Sequence, residues 1–444
     1  MAASFSITRV TAFWGRLNSS FWLVPAVMAL IAVALSFLII EVDALRGVDQ
    51  TDDPSAFFTF GPEGARAILS VIASSMITVA SLIFSITMLS LQLASSQFGP
   101  RVIGNFMRDR SNQIVLGTFI ATFLYCLLVL RSVRGIEGSS FVPHLAVAFG
   151  ILLAAASVAV LIYFIHHIAT SIRVETLLAK LAVEGCAAVD RVFPERLGRG
   201  PGDDADEKAG RHLPDDFVSC SRQIGADSGG YVQRIGVDVL MRIAAKHDLV
   251  LRIEAPPGQF VMKGMCAITA YPKDRVSDEI DEDLRGAFVI GRERTPHQDL
   301  EYAIRRIVEL AQRSLSPGIN DPTTAIYCID RLAQVLCRLA DRDIPSPMRI
   351  DESGQLRVVT EVVVLEDVVC RAFAAIARYG MTDADVVTRL VETLATLETS
   401  FPPAARVAIT EFREQMLRES GGPEIHGFDR KILSDLRETS RKKS

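Results

Sequence analysis

Residues 21–40 read FWLVPAVMALIAVALSFLII, twenty positions without a charge. Three similar runs follow before residue 173, at 67–93, 114–130 and 142–165, none holding an acid, a lysine or an arginine. A helix of about 20 apolar residues crosses a hydrocarbon layer of roughly 30 Å. Four such runs joined by polar links predict four transmembrane helices rather than buried core helices. The first run is too long for a cleaved signal, and Ile40-Glu41-Val42-Asp43 offers no small-residue cleavage site. The rest of the chain is ordinary. A mean hydropathy of +0.29 beside 22% charged residues averages a very apolar part with a soluble one.

Basic residues set the expected orientation, because cytoplasmic loops hold the excess of lysine and arginine. Arg9 and Arg16 precede the first run, Arg101, Arg108 and Arg110 follow the second, and Arg173 and Lys180 follow the fourth. The first link, 41–64, has Arg46 against Asp43, Asp49, Asp52, Asp53 and Glu63. The amino terminus, the second link and the long carboxy-terminal region are therefore expected to face the cytoplasm. Arg131 and Arg134 in the third link dissent. Arg101, Arg108 and Arg110 fall at headgroup height, where they would meet anionic lipid or gather anions at a cytoplasmic vestibule.

The second helix carries Ser70, Ser74, Thr78, Ser81, Ser85, Gln92 and Ser96. At about 100° per residue they form one stripe less than a quarter-turn wide. Lipid offers hydroxyls no partner, so the stripe predicts either a helix–helix interface or the wall of a hydrated pathway. Met88 lies on the same stripe and would be an apolar constriction. His166 and His167 close the fourth helix with no Asp or Cys at a coordinating interval.

Two long motifs resemble a known family. They are LSLQLASSQFGPRVIGNFMRDR over 89–110 and YAIRRIVELAQRSLSPGINDPTTA over 302–325. Together they are similar to the DUF2254 family of predicted bacterial membrane proteins, from the second helix to about residue 340. The resemblance implies a multi-pass inner-membrane protein with a cytoplasmic domain, and it carries over no catalytic residue.

The soluble part opens with a helix over 173–193 and a Gly/Asp-rich linker, GRGPGDDADEK, over 198–208. Short strands are expected near 218–224, 231–236, 249–255 and 260–270, with a helix at 237–246 and a turn at Pro256-Pro257-Gly258. This module is similar to the closing half of a biotinyl/lipoyl-type barrel sandwich, but Lys263 sits where no attachment is expected. Beyond Thr295 the pattern is helical. Ile304, Ile307, Val308, Ala311 and Leu315 make an apolar stripe. Pro317-Gly318 ends that helix, and Asp321-Pro322 caps and opens the next. Residues 355–365 are ambiguous between strand and helix. Further helices are expected at 366–379, 383–398, 404–419 and 429–438, ahead of the basic tail Arg441-Lys442-Lys443. The corner around 316–324 is polar beyond what capping needs: Asn320, Asp321, Thr323 and Thr324, with Glu309 and Arg313 one or two turns earlier. It is read as a helix–turn–helix corner, or as a site for a ligand or a partner.

The fold class is thus a multi-pass α-helical membrane domain of four helices followed by a cytoplasmic α+β region. The divisions are 1–172 in the membrane, 173–212 for the helical exit and linker, 213–295 for the small β module and 296–444 for the helical domain. Cys126, Cys186, Cys220, Cys266, Cys328, Cys337 and Cys370 are too scattered for a zinc or thioredoxin-like spacing, so reduced thiols and no metal are expected. No cofactor motif and no catalytic motif is present, and an enzyme is not expected. The balance of 47 Lys+Arg against 52 Asp+Glu gives no basic field for nucleic acid. Two functions fit the pattern. One is an oligomeric pore or transport protein gated by its cytoplasmic domain, a homo-oligomer in the lipid bilayer. The other is a membrane-anchored sensor or scaffold whose cytoplasmic domain binds a ligand or a protein partner.

Overall fold

The computed structural model describes residues 22–46, 61–99, 109–136, 139–171, 173–193, 213–342, 346–361, 364–420, 431–432 and 434. The chain divides into two compact units, Met1–Arg173 and Val174–Ser444.

The first unit holds α1 (Leu23–Arg46), α2 (Pro62–Phe98), α3 (Arg110–Ser132) and α4 (His144–Ser171). All four are long and apolar enough to cross a membrane. A short hairpin absent from the sequence reading, β1 (Arg134–Ile136) with β2 (Ser139–Phe141), joins α3 to α4. Helix α3 packs against each of the other three. Its approach to α1 is close at Gly117, where a Cβ would stand 2.6 Å from Met28 Sδ. Outward-facing Leu30, Phe37, Leu38, Val71, Leu82, Leu152 and Ile162 are more than half exposed, the surface expected of helices solvated by lipid.

Several buried polar groups in this unit find partners across helices. Asp43 of α1 accepts from the backbone N–H groups of Leu145 at 3.2 Å and Ala146 at 2.9 Å, so its carboxylate closes the positive end of α4. Tyr125 donates to the Ala146 carbonyl at 3.0 Å, and Thr122 and Ser157 meet at 3.2 Å.

The second unit begins with α5 (Val174–Val192). After the short α6 (Phe217–Cys220) come β3 (Arg222–Gly225), β4 (Gly230–Ile235), α7 (Val237–His247), β5 (Val250–Ile253), β6 (Phe260–Val261), β7 (Cys266–Tyr271), α8 (Asp278–Gly286) and β8 (Phe288–Gly291). The helical part is α9 (Leu300–Ser314), α10 (Pro322–Ala340), α11 (Leu365–Gly380), α12 (Ala384–Ser400) and α13 (Pro403–Glu419), with β9 (Met348–Ile350) and β10 (Leu356–Val359) between α10 and α11.

The strands form a five-stranded sheet ordered β3-β7-β5-β10-β9 and a three-stranded sheet ordered β6-β4-β8. This differs from the barrel-sandwich expectation for 213–295. Helices α6, α7 and α8 belong to the region, and its larger sheet is completed by β10 and β9 from beyond residue 340. The segment that was ambiguous in sequence supplies β10, which pairs parallel to β5 with Val358 opposite Leu251. Helix α9 buries Ile304, Ile307, Val308, Ala311 and Leu315, the stripe its spacing predicts. Helix α5 packs on α10 and α9. Buried Arg306 of α9 donates to Glu184 of α5 at 2.5 Å. The linker at 198–208, the tail at Arg441-Lys442-Lys443 and nearly all of the expected last helix lie outside the described residues.

Candidate functional site

The polar stripe of α2 faces outward. Its buried face is Ala65, Leu69, Ala73, Met76, Ala80, Ile83, Ser90 and Ala94, at steps of three, four or seven. Ser70, Ser74 and Ser81 each follow a buried residue, so the stripe lies about 100° around the helix from the packed face. Ser70, Ser74, Thr78, Ser81, Ser85, Gln92 and Ser96 are all exposed. No described span of the same chain covers them. Most hydroxyls bond back to their own helix: Ser74 donates to the Val71 carbonyl at 3.1 Å, Thr78 to Ser74 at 2.8 Å, Ser81 to Ile77 and Ser85 to Ser81 at 2.9 Å each, and Ser96 to Leu93 at 2.9 Å. Such back-bonding satisfies the proton without a second helix.

The helix ends as its sequence reads, with α2 stopping at Phe98. Arg101 and Arg108 lie outside the described residues. Arg110 is exposed at the first turn of α3, which Asp109 caps by accepting from the Ser111 N–H at 3.0 Å. Sequence spacing found no acid for the paired histidines, but the fold supplies one. His167 Nε2 lies 3.3 Å from Asp109 Oδ2, and the His167 ring stacks on Tyr163.

The 316–324 corner closes on itself. Asp321 Oδ1 accepts from the Thr324 N–H at 3.0 Å and its Oδ2 from the Thr324 hydroxyl at 2.6 Å. The Asp321 N–H reaches the Ser314 carbonyl at 2.7 Å, and Asn320 takes a left-handed φ of 49°. Asn320 and Thr323 are left as exposed side chains. Glu309 accepts from Arg305 at 3.4 Å, while Arg313 is partly buried. The capping reading thus accounts for both Asp321 oxygens. Among the described residues no group of three or more His, Cys, Asp or Glu is placed to hold a metal ion. Burial pushes the thiols of Cys186, Cys328, Cys337 and Cys370 up, which makes them poor nucleophiles.

A different place in the soluble unit has the form of a binding site. A cavity of about 690 Å³ opens among the end of α5, the start of α7, the Pro256-Pro257-Gly258 turn, the first turns of α9 and α11, and strand β9. Val237, Met241, Ile304, Val308, Val368 and Ala372 give it an apolar wall. The turn needs glycine, because a Cβ at Gly258 would stand 2.2 Å from Asp299 Oδ2. Gln298 fixes the adjoining segment to the end of β4, accepting from the Ile235 N–H at 2.8 Å and donating to the Ile235 carbonyl at 3.2 Å.

Five arginines line the cavity, and three of them have carboxylate partners. Arg294 clamps Asp299 with two hydrogen bonds of 2.7 and 2.9 Å and reaches Glu301 at 3.4 Å. Asp299 also caps α9 through the Tyr302 N–H at 2.9 Å. Arg371 pairs with Asp367 at 3.1 Å, and Arg305 with Glu309. Arg191 donates to two neutral carbonyls, His297 at 3.1 Å and Pro296 at 3.4 Å. Arg349 of β9 is partly buried, and its Nη1 is shielded from solvent with no hydrogen-bond partner among the described residues. Burial pushes its guanidinium down, and no carboxylate among the described residues offsets this. Sequence reading missed this site, because its walls come from four distant stretches and Arg349 belongs to no motif.

Four membrane-length helices followed by an α+β unit with an arginine-lined, apolar-walled cavity define a membrane protein with a large second unit. The family described as predicted membrane protein (DUF2254) matches residues 18–396. The chain belongs to that family. It is similar to uncharacterized proteins of Mycobacterium bovis (Mb1321c) and Mycobacterium tuberculosis (Rv1290c), each 31% identical over 415 residues, covering 92% of this chain and 78% of the relative. No solved structure matches the chain.

Proposed function

We propose that this protein is a membrane-anchored ligand-binding protein, a sensor whose soluble unit takes up a small molecule on the cytoplasmic side of a bacterial inner membrane. One observation carries the reading: the cavity of about 690 Å³ joins an apolar wall to converging polar groups. Small-molecule sites typically span about 300–1,000 Å³ with that make-up. Its walls come from five helices and strands of one unit, so an occupant would touch several elements at once. The Lys/Arg bias of the links supports the cytoplasmic placement. Native mass spectrometry of the full chain, extracted from its own membrane, tests the proposal. A bound small molecule is expected on the wild type and missing from a cavity-filling Val368→Trp variant. Two identical ligand-free spectra would contradict it.

A second reading, an oligomeric pore or transport protein, draws on the exposure of the whole α2 stripe. Groups of this kind favour protein or water over acyl chains, and an outward stripe would meet a second copy or a water-filled path between copies. A photo-crosslinker at Ser81 in intact membranes is expected to give chain–chain adducts on this reading. Adducts to lipid alone would remove it.

A further inference from the structure

The most buried guanidiniums of the soluble unit each meet a carboxylate. Buried Arg357, on the strand next to β9, lies 2.8 Å from Asp248 and 2.6 Å from Asp351. Arg413 lies 2.6 Å from Glu398, and Arg342 2.7 Å from Asp190. Arg294 has its bidentate carboxylate across the cavity wall. A guanidinium removed from water without an anion is strongly disfavoured, so folded chains supply one. Arg349 departs from this pattern, and it does so where the unit has a cavity.

The rest of the wall narrows what the missing anion is. Arg191 is a second cavity guanidinium whose hydrogen bonds go to backbone oxygens rather than to a carboxylate. Against these two stand two lining acids outside the ion pairs, Asp238 and Glu361, both exposed and screened by solvent. The lining holds five arginines against five acids, so positive charge without a carboxylate partner is confined to Arg349 and Arg191, which suits a single negative charge and is too little for a polyphosphate. Opposite lies the apolar wall of Met241, Ile304, Val308 and Val368, which offers nothing to a sugar or a peptide backbone. A planar guanidinium matches the two oxygens of a carboxylate or a similar acid.

Resting on the ligand-binding reading above, we infer that the cavity takes an organic monoanion: one carboxylate or comparable acidic group against Arg349, carried on an apolar body that fills the space between α7, α9 and α11. The source is either a soluble aromatic acid or a short fatty acid, and both share this chemistry.

The test uses the full chain in lipid nanodiscs and ¹⁹F NMR of two probes with one body, 4-fluorophenylacetate and its neutral amide, 4-fluorophenylacetamide. The acid is expected to bind at least tenfold more tightly than the amide. Arg349→Gln should bring the two within about twofold, while Val368→Trp should weaken both. Displacement of the acid by octanoate points to an aliphatic ligand, and failure of octanoate to compete points to an aromatic one; either result fits the inference. Equal binding of acid and amide to the wild type overturns the monoanion but leaves a ligand site. Binding of neither probe overturns it together with the cavity's role. Unchanged melting of Arg349→Gln shows that its loss of preference is local.

Discussion

The outer face of α2 and the second unit satisfy their polar groups by opposite strategies. On the outer face of α2 a hydroxyl finds its partner within one turn: Thr78 bonds to Ser74, Ser81 to Ile77 and Ser85 to Ser81. In the soluble unit the charged groups reach across the fold. Arg357 meets Asp248 109 positions away, and Arg338 meets Asp190 148 positions away. A helix that must enter lipid before it meets any neighbour is safest when its exposed hydroxyls are locally bonded. A domain that folds in water can postpone pairing until tertiary contacts form. The difference changes what an unpaired group means. An outward serine on α2 has already met its need, so its exposure says little about function. Arg349, in a unit that pairs its most buried guanidiniums, is a departure that the proposed ligand would answer. This is why the cavity outranks the stripe as the basis for function.

Removing the shared guanidinium of the Asp248–Asp351 network should break the soluble unit's side of this contrast most severely. Arg357→Met strands the largely buried Asp351 carboxylate and is expected to cost on the order of 3 kcal/mol, read as a lower melting temperature and faster hydrogen exchange across β5, β9 and β10. A cost no greater than that of a surface substitution would deny that these long-range pairs organise the sheet.

Acid should sharpen the same point. Hydrogen bonds from Arg357 and then Arg275 hold the Asp248 carboxyl below its usual value. Burial pushes Asp351 up, but bonds from Ser353, Arg357 and the Gln355 N–H outweigh it and hold that carboxyl far down. Folded values below the unfolded one of about 4 give stability that is complete above that pH and lost as pH falls through the folded values. The wild type should therefore lose melting temperature below about pH 4 more steeply than Arg357→Met. Parallel acid profiles would contradict the pairing.

Arg349→Met should move stability the other way. It removes a partly buried charge that has no partner, so the ligand-free protein is expected to be unchanged or about 1 kcal/mol more stable by thermal melting. A loss like that of Arg357→Met would mean that Arg349 is a structural ion after all. The smallest effect belongs to the membrane unit. Thr78→Val removes a back-bonded hydroxyl and is expected to change stability by no more than about 0.6 kcal/mol in denaturant titration. A much larger loss would show that the α2 stripe is a packed interface between copies.

Sequence was an uneven guide to this molecule. The spans were legible because an uncharged run of twenty residues has few other fates, and each observed helix contains or nearly contains its run. The caps at Asp321 and the stripe on α9 were legible because both depend on spacing within one helix. The polar excess at 316–324 was legible too, but it did not reveal that Thr324 occupies both Asp321 oxygens. What could not be read depends on distant segments. Strand β10 pairs with β5 more than a hundred residues earlier, so the small module looked self-contained. His167 meets Asp109, 58 positions away. The cavity draws on α5, α7, α9, β9 and α11, and no local pattern marks Arg349 as different from the paired arginines around it.

A cryo-EM map of the full chain, purified in nanodiscs from its native membrane, tests the central claim most directly. The account predicts density in the cavity between α7, α9 and α11, with one end against the Arg349 guanidinium. An empty cavity with Arg349 turned onto a carboxylate of its own chain would contradict it.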